Sequence, residues 1–286
     1  MLTLVLLPAL WAAPAGASAH CSPKGVLWEI RGAAGPPSYL LGTMHSDDPR
    51  LLELPDPLVS ALRDARSFTM EVVIDPSALA RLSQRMTLPA DESLQRMLDA
   101  GDWRRLVGAM QRRRVPEPAL RRMQPWAVAM ALSMPEQFSG LALDLYLQQY
   151  AQRLGKPVHG LESIDEQVAI FDGLSRAEQL ALLRTTLVQL PQLPRLIEAL
   201  TEAYLSRDLA AMQALTEAQV AIGDARFNQR FMQRLVDQRN LRMLRRMQPR
   251  LREGGTFVAV GALHLPGTQG LLCLLREQGY RLKRVY

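Results

Sequence analysis

The sequence predicts an α/β fold of mixed α+β character: a central mixed β-sheet covered by helices, with a large helical section in the middle of the chain. Three observations predict it. Apolar, β-branched runs of strand length occur near both ends and at two places between them. Helical periodicity fills the intervals, the pattern of a sheet with helices packed on it. No internal repeat, low-complexity tract or flexible linker divides the 286 residues, so one compact unit is expected.

The elements follow in order. Met1 to Ala19 carry no charge and finish in Ala17-Ser18-Ala19, the small-x-small pattern of a cleavage site. Residues 1–19 are therefore expected to be a signal peptide, and residues 20–286 a single domain that is periplasmic or secreted in a bacterial envelope. The apolar run from Leu2 to Ala13 is short for a bilayer span and is broken by Pro8 and Pro14, so no stable membrane span is expected after cleavage. Cys21 follows His20, where a lipidation signal needs a small residue. An oxidising compartment would permit one bridge between Cys21 and Cys273, the two cysteines of the chain, closing a loop worth about 4–5 kcal/mol in the chain-entropy model.

Val26 to Ile30 and Ser38 to Leu41, joined by Gly35-Pro36-Pro37, predict a hairpin. Leu58 to Ala65 has helical spacing, and Ser67 to Ile74 reads as a buried strand stopped by Asp75-Pro76. A helical insertion or lid is expected over about 77–250, interrupted by a strand at 156–162. Within it, Asp91 and Asp102 are expected N-caps, and Glu136 to Leu154 predicts one amphipathic helix closed by Gly155. Ser163 and Glu166 form a capping box after the strand. A long Arg-rich helix is expected from Asp224 to Arg252, with Met243 and Met247 as core residues. Thr256 to Val260 is a continuous apolar strand, followed by a helix over about 268–278 and a last strand from Tyr280 to Tyr286.

The net charge of +6 comes mainly from arginines such as Arg112-Arg113-Arg114, Arg121-Arg122 and Arg245-Arg246. They sit at helical spacing among apolar residues without interleaved aromatics, which speaks for solvated helix faces and against nucleic acid as a partner. His-Glu-x-x-His, Gly-x-Ser-x-Gly, Walker and Gly-x-Gly-x-x-Gly motifs are all missing, so standard zincins, serine hydrolases and nucleotide enzymes recede.

Two apolar strands end alike, in Gly42-Thr43-Met44-His45 and Gly261-Ala262-Leu263-His264. Glycine lets the backbone turn tightly there, so that each imidazole projects over the sheet edge, where ligands collect in α/β proteins. Two imidazoles with carboxylates make a site for a divalent metal such as Mn, Co or Zn with a position open for water. Hydrogen-bonded core histidines are the plainer alternative. Glu71, inside an apolar strand on the face of Thr69 and Val73, is either a paired or liganded acid or a solvated one. Glu162 ends its strand beside a helix start, where acids are favoured in any case. Asp144 lies in the apolar run Leu141 to Leu147 and wants a partner, either Arg239 or a site histidine in the shell behind the metal. His20 and His159 lack the Gly-x-x-His setting and are read as incidental.

These residues resemble the TraB/GumN family, related to the Tiki metalloproteases. The resemblance is carried by Tyr39 to His45, Glu71, Gly155-Lys156-Pro157-Val158 leading to Gly160-Leu161-Glu162, Arg239-Asn240, and Val260 to Gly267. It implies a fold like the erythromycin-esterase and haem-binding ChaN group and, from the Tiki branch, a manganese- or cobalt-dependent peptidase with peptide or protein substrates. The family's metal site carries over onto His45, Glu71 and His264, with Glu162, Arg239 and Asn240 close behind. The expected activity is a metal-dependent hydrolase in which Glu71 or Glu162 serves as general base and Thr43 helps to bind the developing oxyanion. The alternatives are a non-catalytic periplasmic module that sequesters a peptide, lipid or haem, and a structural envelope protein.

Overall fold

The computed structural model describes residues 24–33, 35–73, 75–136, 142–220, 222 and 224–286. The expected signal peptide at 1–19, His20 and Cys21 lie outside the described residues; Cys273 is disulfide-bonded. No helix among the described residues is long and apolar enough to cross a membrane.

Six strands form one mixed sheet: β1 (Leu27–Arg31), β2 (Ser38–Thr43), β3 (Ser67–Met70), β4 (Val158–Gly160), β5 (Thr256–Gly261) and β6 (Arg281–Arg284). Their spatial order is β4-β3-β5-β2-β1-β6. Neighbours from β4 to β2 pair in parallel, while β1 pairs antiparallel with β2 and with β6. Only β1 therefore runs against the rest, and the carboxyl ends of β4, β3, β5 and β2 gather along one edge. The expected hairpin is β1–β2, in register at Trp28 and Leu40, with Gly35 of the connection at φ +86°. Central β5 is buried from Thr256 to Val260, which explains why it reads as an unbroken apolar run. Outer strand β6 ends the sheet in exposed Arg281, Lys283 and Arg284, charges that discourage further strand pairing.

The main core packs Leu40, Phe68, Phe257 and Val258 of the sheet against Leu147, Met243, Met247 and Leu272 of its covering helices. The Phe68 and Phe257 rings stack with centroids 6.0 Å apart. The helical middle has a core of its own, in which Trp103, Leu106 and Met110 of helix Ala100–Arg112 meet Leu132 and Leu183. The arginine clusters are tied up at the surface: Arg112 pairs with Glu136, Arg121 with Glu117 and Arg246 with Glu166.

Several boundaries differ from expectation. β3 ends at Met70, opposite Gly160, the last residue of β4, and Ala259 of β5, which itself runs on to Gly261 beside β2. Glu71 thus lies past the strand rather than on a face shared with Thr69 and Val73. The β4 strand is shorter than 156–162, and the helix expected from Glu136 starts at Leu143, because Ala142 is extended at ψ 159°; residues 137–141 lie outside the described residues. Gly155 closes that helix at φ +70°. The Arg-rich helix is capped by Asp224 but interrupted: helix Ala225–Met232 passes through a π-helical turn, Gln233–Asp237, into helix Gln238–Glu253. Asp99, not Asp102, caps helix Ala100–Arg112; buried Asp102 instead pairs with Arg105 and Arg184. Ser93, not Asp91, precedes the short helix Leu94–Met97. The Ser163–Glu166 capping box forms in both directions.

Candidate functional site

The two Gly-x-x-His motifs lie side by side because β2 and β5 are parallel neighbours, with Gly42 in register with Val260 and Thr43 with Gly261. Neither glycine has positive φ. Their role is close approach. A Cβ on Gly42 would stand 2.9 Å from Ala262 Cα, and one on Gly261 would stand 3.3 Å from Glu71 Oε1. The Tyr204 hydroxyl donates to the Gly42 carbonyl at 2.7 Å and pins the end of β2.

Beyond β5, β3 and β4 lies a closed polar cluster centred on Arg239, the second residue of helix Gln238–Glu253. Its Nε donates to Glu162 Oε2 at 2.8 Å, its Nη2 to Glu71 Oε2, and its Nη1 faces His264 Nε2 at 3.1 Å. Gln167 Nε2 bridges the two carboxylates, 3.1 Å from Glu71 Oε2 and 3.2 Å from Glu162 Oε2. Glu71 Oε1 accepts the Gly261 N–H at 2.6 Å, while Arg242 stands 3.4 Å from the fully buried Glu162 carboxylate. Burial opposes the charge on Glu71, but His264, Arg239 and the Gly261 N–H outweigh it and bring the carboxyl down to about 2.

His264 is buried and its tautomer can be read from its neighbours. Asn240 Nδ2 donates to the Gln269 carbonyl at 2.7 Å, which turns Asn240 Oδ1 toward His264 Nδ1, also at 2.7 Å. Burial, aided by the Arg239 charge and opposed by Glu71, pushes the ring down to about 4, so it is neutral near pH 7. Its one proton sits on Nδ1 and is donated to Asn240. Nε2 keeps a bare lone pair, directed at Arg239 Nη1 and 3.6 Å from Glu71 Oε1.

The other histidine has opposite surroundings. The His45 side chain is 65% exposed, and its Nδ1 lies 3.2 Å from Asp144 Oδ2. Asp144 Oδ1 accepts the Thr43 hydroxyl at 2.5 Å. The expected Arg239 partner of Asp144 is therefore replaced by Thr43 and His45. Burial, the largest influence, raises the Asp144 carboxyl; Glu71 adds to the rise, and His45 and Thr43 oppose it. A cavity of about 220 Å³ opens between the two groups, lined by His45, Glu71, Asp144, Gln148 and Gln167. Two buried oxygens of these lining residues, Asp144 Oδ2 and Gln148 Oε1, have no hydrogen-bond partner among the described residues.

The residues offered for a metal are brought to one edge but not into one shell. Among the described residues, no three His, Cys, Asp or Glu side chains are gathered to hold an ion. Glu71 and His264 stand together, His45 is turned onto Asp144, and Arg239 supplies the local positive charge. The donor chemistry nonetheless suits a divalent cation: an ionised carboxylate, a neutral imidazole held by an amide behind it and with its Nε2 lone pair facing Arg239, and a carboxylate oxygen in contact with a second imidazole. Thr43 donates its hydroxyl proton to Asp144 rather than to the cavity. Glu162 is sealed behind Arg239, and His159 of β4 is in register with Thr69 of β3. Sequence reasoning missed Gln167, Gln148, Arg242 and Tyr204. Only Gln167 had any local signal, one residue after the Glu166 of the capping box.

The chain is 27% identical over 309 residues to Metalloprotease TIKI1 of Danio rerio, covering 90% of this chain and 62% of that protein. With Metalloprotease TIKI1 of Homo sapiens it shares 26% identity over 343 residues, covering 98% and 68%. A protein of Shigella flexneri described as Uncharacterized protein YbaP is 31% identical over 248 residues, covering 84% and 88%. The chain thus spans less than two thirds of the length of the zebrafish relative. No solved structure matches. The TraB/PrgY/gumN family model matches residues 26–284, from the residue before β1 to the last of β6 and across every residue of the polar edge. With both Gly-x-x-His strand ends inside that match, the chain belongs to the TraB/PrgY/gumN family.

Proposed function

We propose that this chain is an exported, divalent-metal-dependent hydrolase that cleaves peptide bonds at the carboxyl edge of its sheet. The observation that carries the reading is the neutral His264 ring, fixed by Asn240 with its Nε2 lone pair unprotonated between Arg239 and ionised Glu71. The names of the zebrafish and human relatives support it.

His45, Glu71 and His264 would hold the ion, which we take to be Mn, Co or Zn. What it contributes is Lewis acidity toward a carbonyl oxygen and activation of water. The chain's own residues divide the remaining work. Asn240 fixes the His264 tautomer, and Arg239 with Gln167 fixes the Glu71 carboxylate. Glu162 anchors Arg239 and has no path to a substrate. Asp144 replaces Glu71 and Glu162 as the proposed general base: its raised carboxyl suits proton exchange, and its Oδ2 faces His45 at the cavity.

The test is metal content by mass spectrometry on protein exported to the periplasm, for the wild type, His45→Ala and His264→Ala, followed by a peptide-library screen. A stoichiometric metal lost in both variants, with turnover lost alongside, is expected. A wild type that takes up no metal on reconstitution and cleaves no peptide sinks the reading.

One observation favours a second reading, a non-catalytic module that sequesters a peptide or haem. The Arg239 guanidinium already satisfies Glu71, Glu162 and His264 without any ion. A sharp Soret band on adding haemin, abolished by His45→Ala, would decide for it.

A further inference from the structure

His45 borders a second cavity, of about 340 Å³, on the side away from Glu71. One wall is the start of helix Leu193–Leu205, where Leu193, Leu196, Ile197 and Leu200 follow at i, i+3, i+4 and i+7 and all line the space. A stripe of that spacing normally faces a core. Here Leu193, Leu196 and Ile197 are half-buried and belong to none of the three hydrophobic clusters of the described residues. The opposite wall includes Met44 and Met134.

The polar groups along this cavity are turned inward on the protein itself. Ser133 and Thr186 donate their hydroxyls to Ala129 O and Leu182 O of their own helices, and Gln189 Nε2 donates to Gln219 O. Ser133, Thr186 and Gln189 thus spend these donors within the protein, and the rest of the wall is mainly apolar. Its volume lies at the small end of ligand pockets, room for a side chain rather than an extended lipid. The adjoining polar cavity shares His45 and Met134 with it and holds the orphaned Gln148 Oε1, an acceptor in want of an N–H. A peptide supplies both requirements at once, an apolar side chain and a backbone amide donor a few bonds away. A fatty-acyl chain supplies only the first.

We propose that this cavity is a specificity pocket that takes one large apolar side chain, leucine, methionine or phenylalanine, of a peptide whose backbone lies over His45 and donates to Gln148. The proposal rests on the hydrolase reading for its substrate class, but not for its test. The Ile197 δ1 methyl, inside the pocket, reports occupancy without turnover. We would label isoleucine methyl groups with ¹³C, assign Ile197 through Ile197→Val, and titrate the chain with N-acetylated hexapeptide amides that differ only in a central Leu or Ser.

The expected result is a saturable Ile197 shift with the Leu peptide, at an affinity about ten-fold or more tighter than for the Ser peptide. Buried Ile30 of β1 should not respond. Ile197→Trp, which fills the space, and Leu196→Ala, which leaves the fold undisturbed because its site is half-exposed, should each weaken the Leu peptide and narrow its advantage over Ser. An Ile197 methyl that ignores both peptides, or answers them equally, overturns the pocket. A response to octanoate equal to that of the Leu peptide makes the site an acyl pocket and overturns the peptide assignment. Intact methyl responses without any peptide cleavage would sink the hydrolase reading and leave the pocket standing.

Discussion

The two Gly-x-x-His strand ends have the same sequence pattern and lie on adjacent strands, yet one ends in a closed ionic cluster and the other at an open rim. Around His264, Arg239, Glu71, Glu162, Gln167 and Asn240 use nearly every donor and acceptor on one another. Around His45 the ring is mostly exposed, Asp144 Oδ2 has only that ring beside it, Gln148 Oε1 has no hydrogen-bond partner among the described residues, and two cavities meet. The difference shows a division of labour within one motif: the closed end is organised by folding, and the open end remains free to change partners. Buried polar networks cost little only when complete, which is why the closed end tolerates so much charge.

The sharpest way to break this comparison is Arg239→Met. Two buried carboxylates would lose their shared cation, and stability should fall by about 3–5 kcal/mol in urea denaturation. Adding Glu71→Gln should recover part of the loss. A change below about 1 kcal/mol would mean that the cluster is not a structural unit.

Acid should act next. His264 titrates near 4 in the folded chain against 6.5 ordinarily, so between those values the unfolded chain binds a proton that the folded one refuses. Stability is therefore fully present above pH 6.5 and falls on acidification, by up to roughly 3 kcal/mol across the window. Glu71, at about 2 against 4.5, continues the fall over the lower window. Denaturation midpoints followed from pH 7 to pH 4 should lose the upper part of this slope in His264→Phe.

Asn240→Leu should cost less, about 10- to 100-fold in metal affinity or turnover, by freeing the His264 tautomer while leaving all three proposed ligands in place. Calorimetric metal titration reads it, and an unchanged affinity would deny Asn240 its orienting part. The smallest effect belongs to the open end. His45→Ala should leave stability within about 0.5 kcal/mol, since its ring is exposed, even as it removes metal uptake. A larger loss would place His45 in the scaffold and erase the contrast.

The middle of the sheet was legible because β2 and β5 are apolar runs that close on glycine, and the repeated motif pointed to a common edge. The extent of β3 was not legible. Its run continues past Glu71 into Val72, Val73 and Ile74, and only the pairing with β4 and β5 determines that Met70 is the last paired residue. Arg239 and Asn240 were flagged through the resemblance, but their work was hidden: nothing in the local sequence says that one guanidinium reaches Glu162, Glu71 and His264. Asp144 was rightly read as an acid in need of a partner; of the two partners expected, the site histidine is found in His45 and Arg239 is not, while Thr43 adds a bond that the local sequence did not suggest. Gln167 stood next to the Glu166 of the capping box, but its bridging of two carboxylates was hidden, since a bridging amide has no pattern of its own.

The position of β5 between β2 and β3 sets a timetable for the protein. The hairpin β1–β2 is local, and β3 meets β4 after a long helical excursion, but these pairs touch only through a strand that begins at Thr256. Parallel pairings across such sequence separations form slowly, after loop closure has been overcome. Until β5 slots in, the nascent chain holds two half-sheets with bare edges at β2 and β3, the state most exposed to aggregation. His45 and Glu71 are then on separate pieces, and His264 has yet to emerge. The polar edge is incomplete until β5 lies between β2 and β3, so its chemistry depends on the placement of one strand.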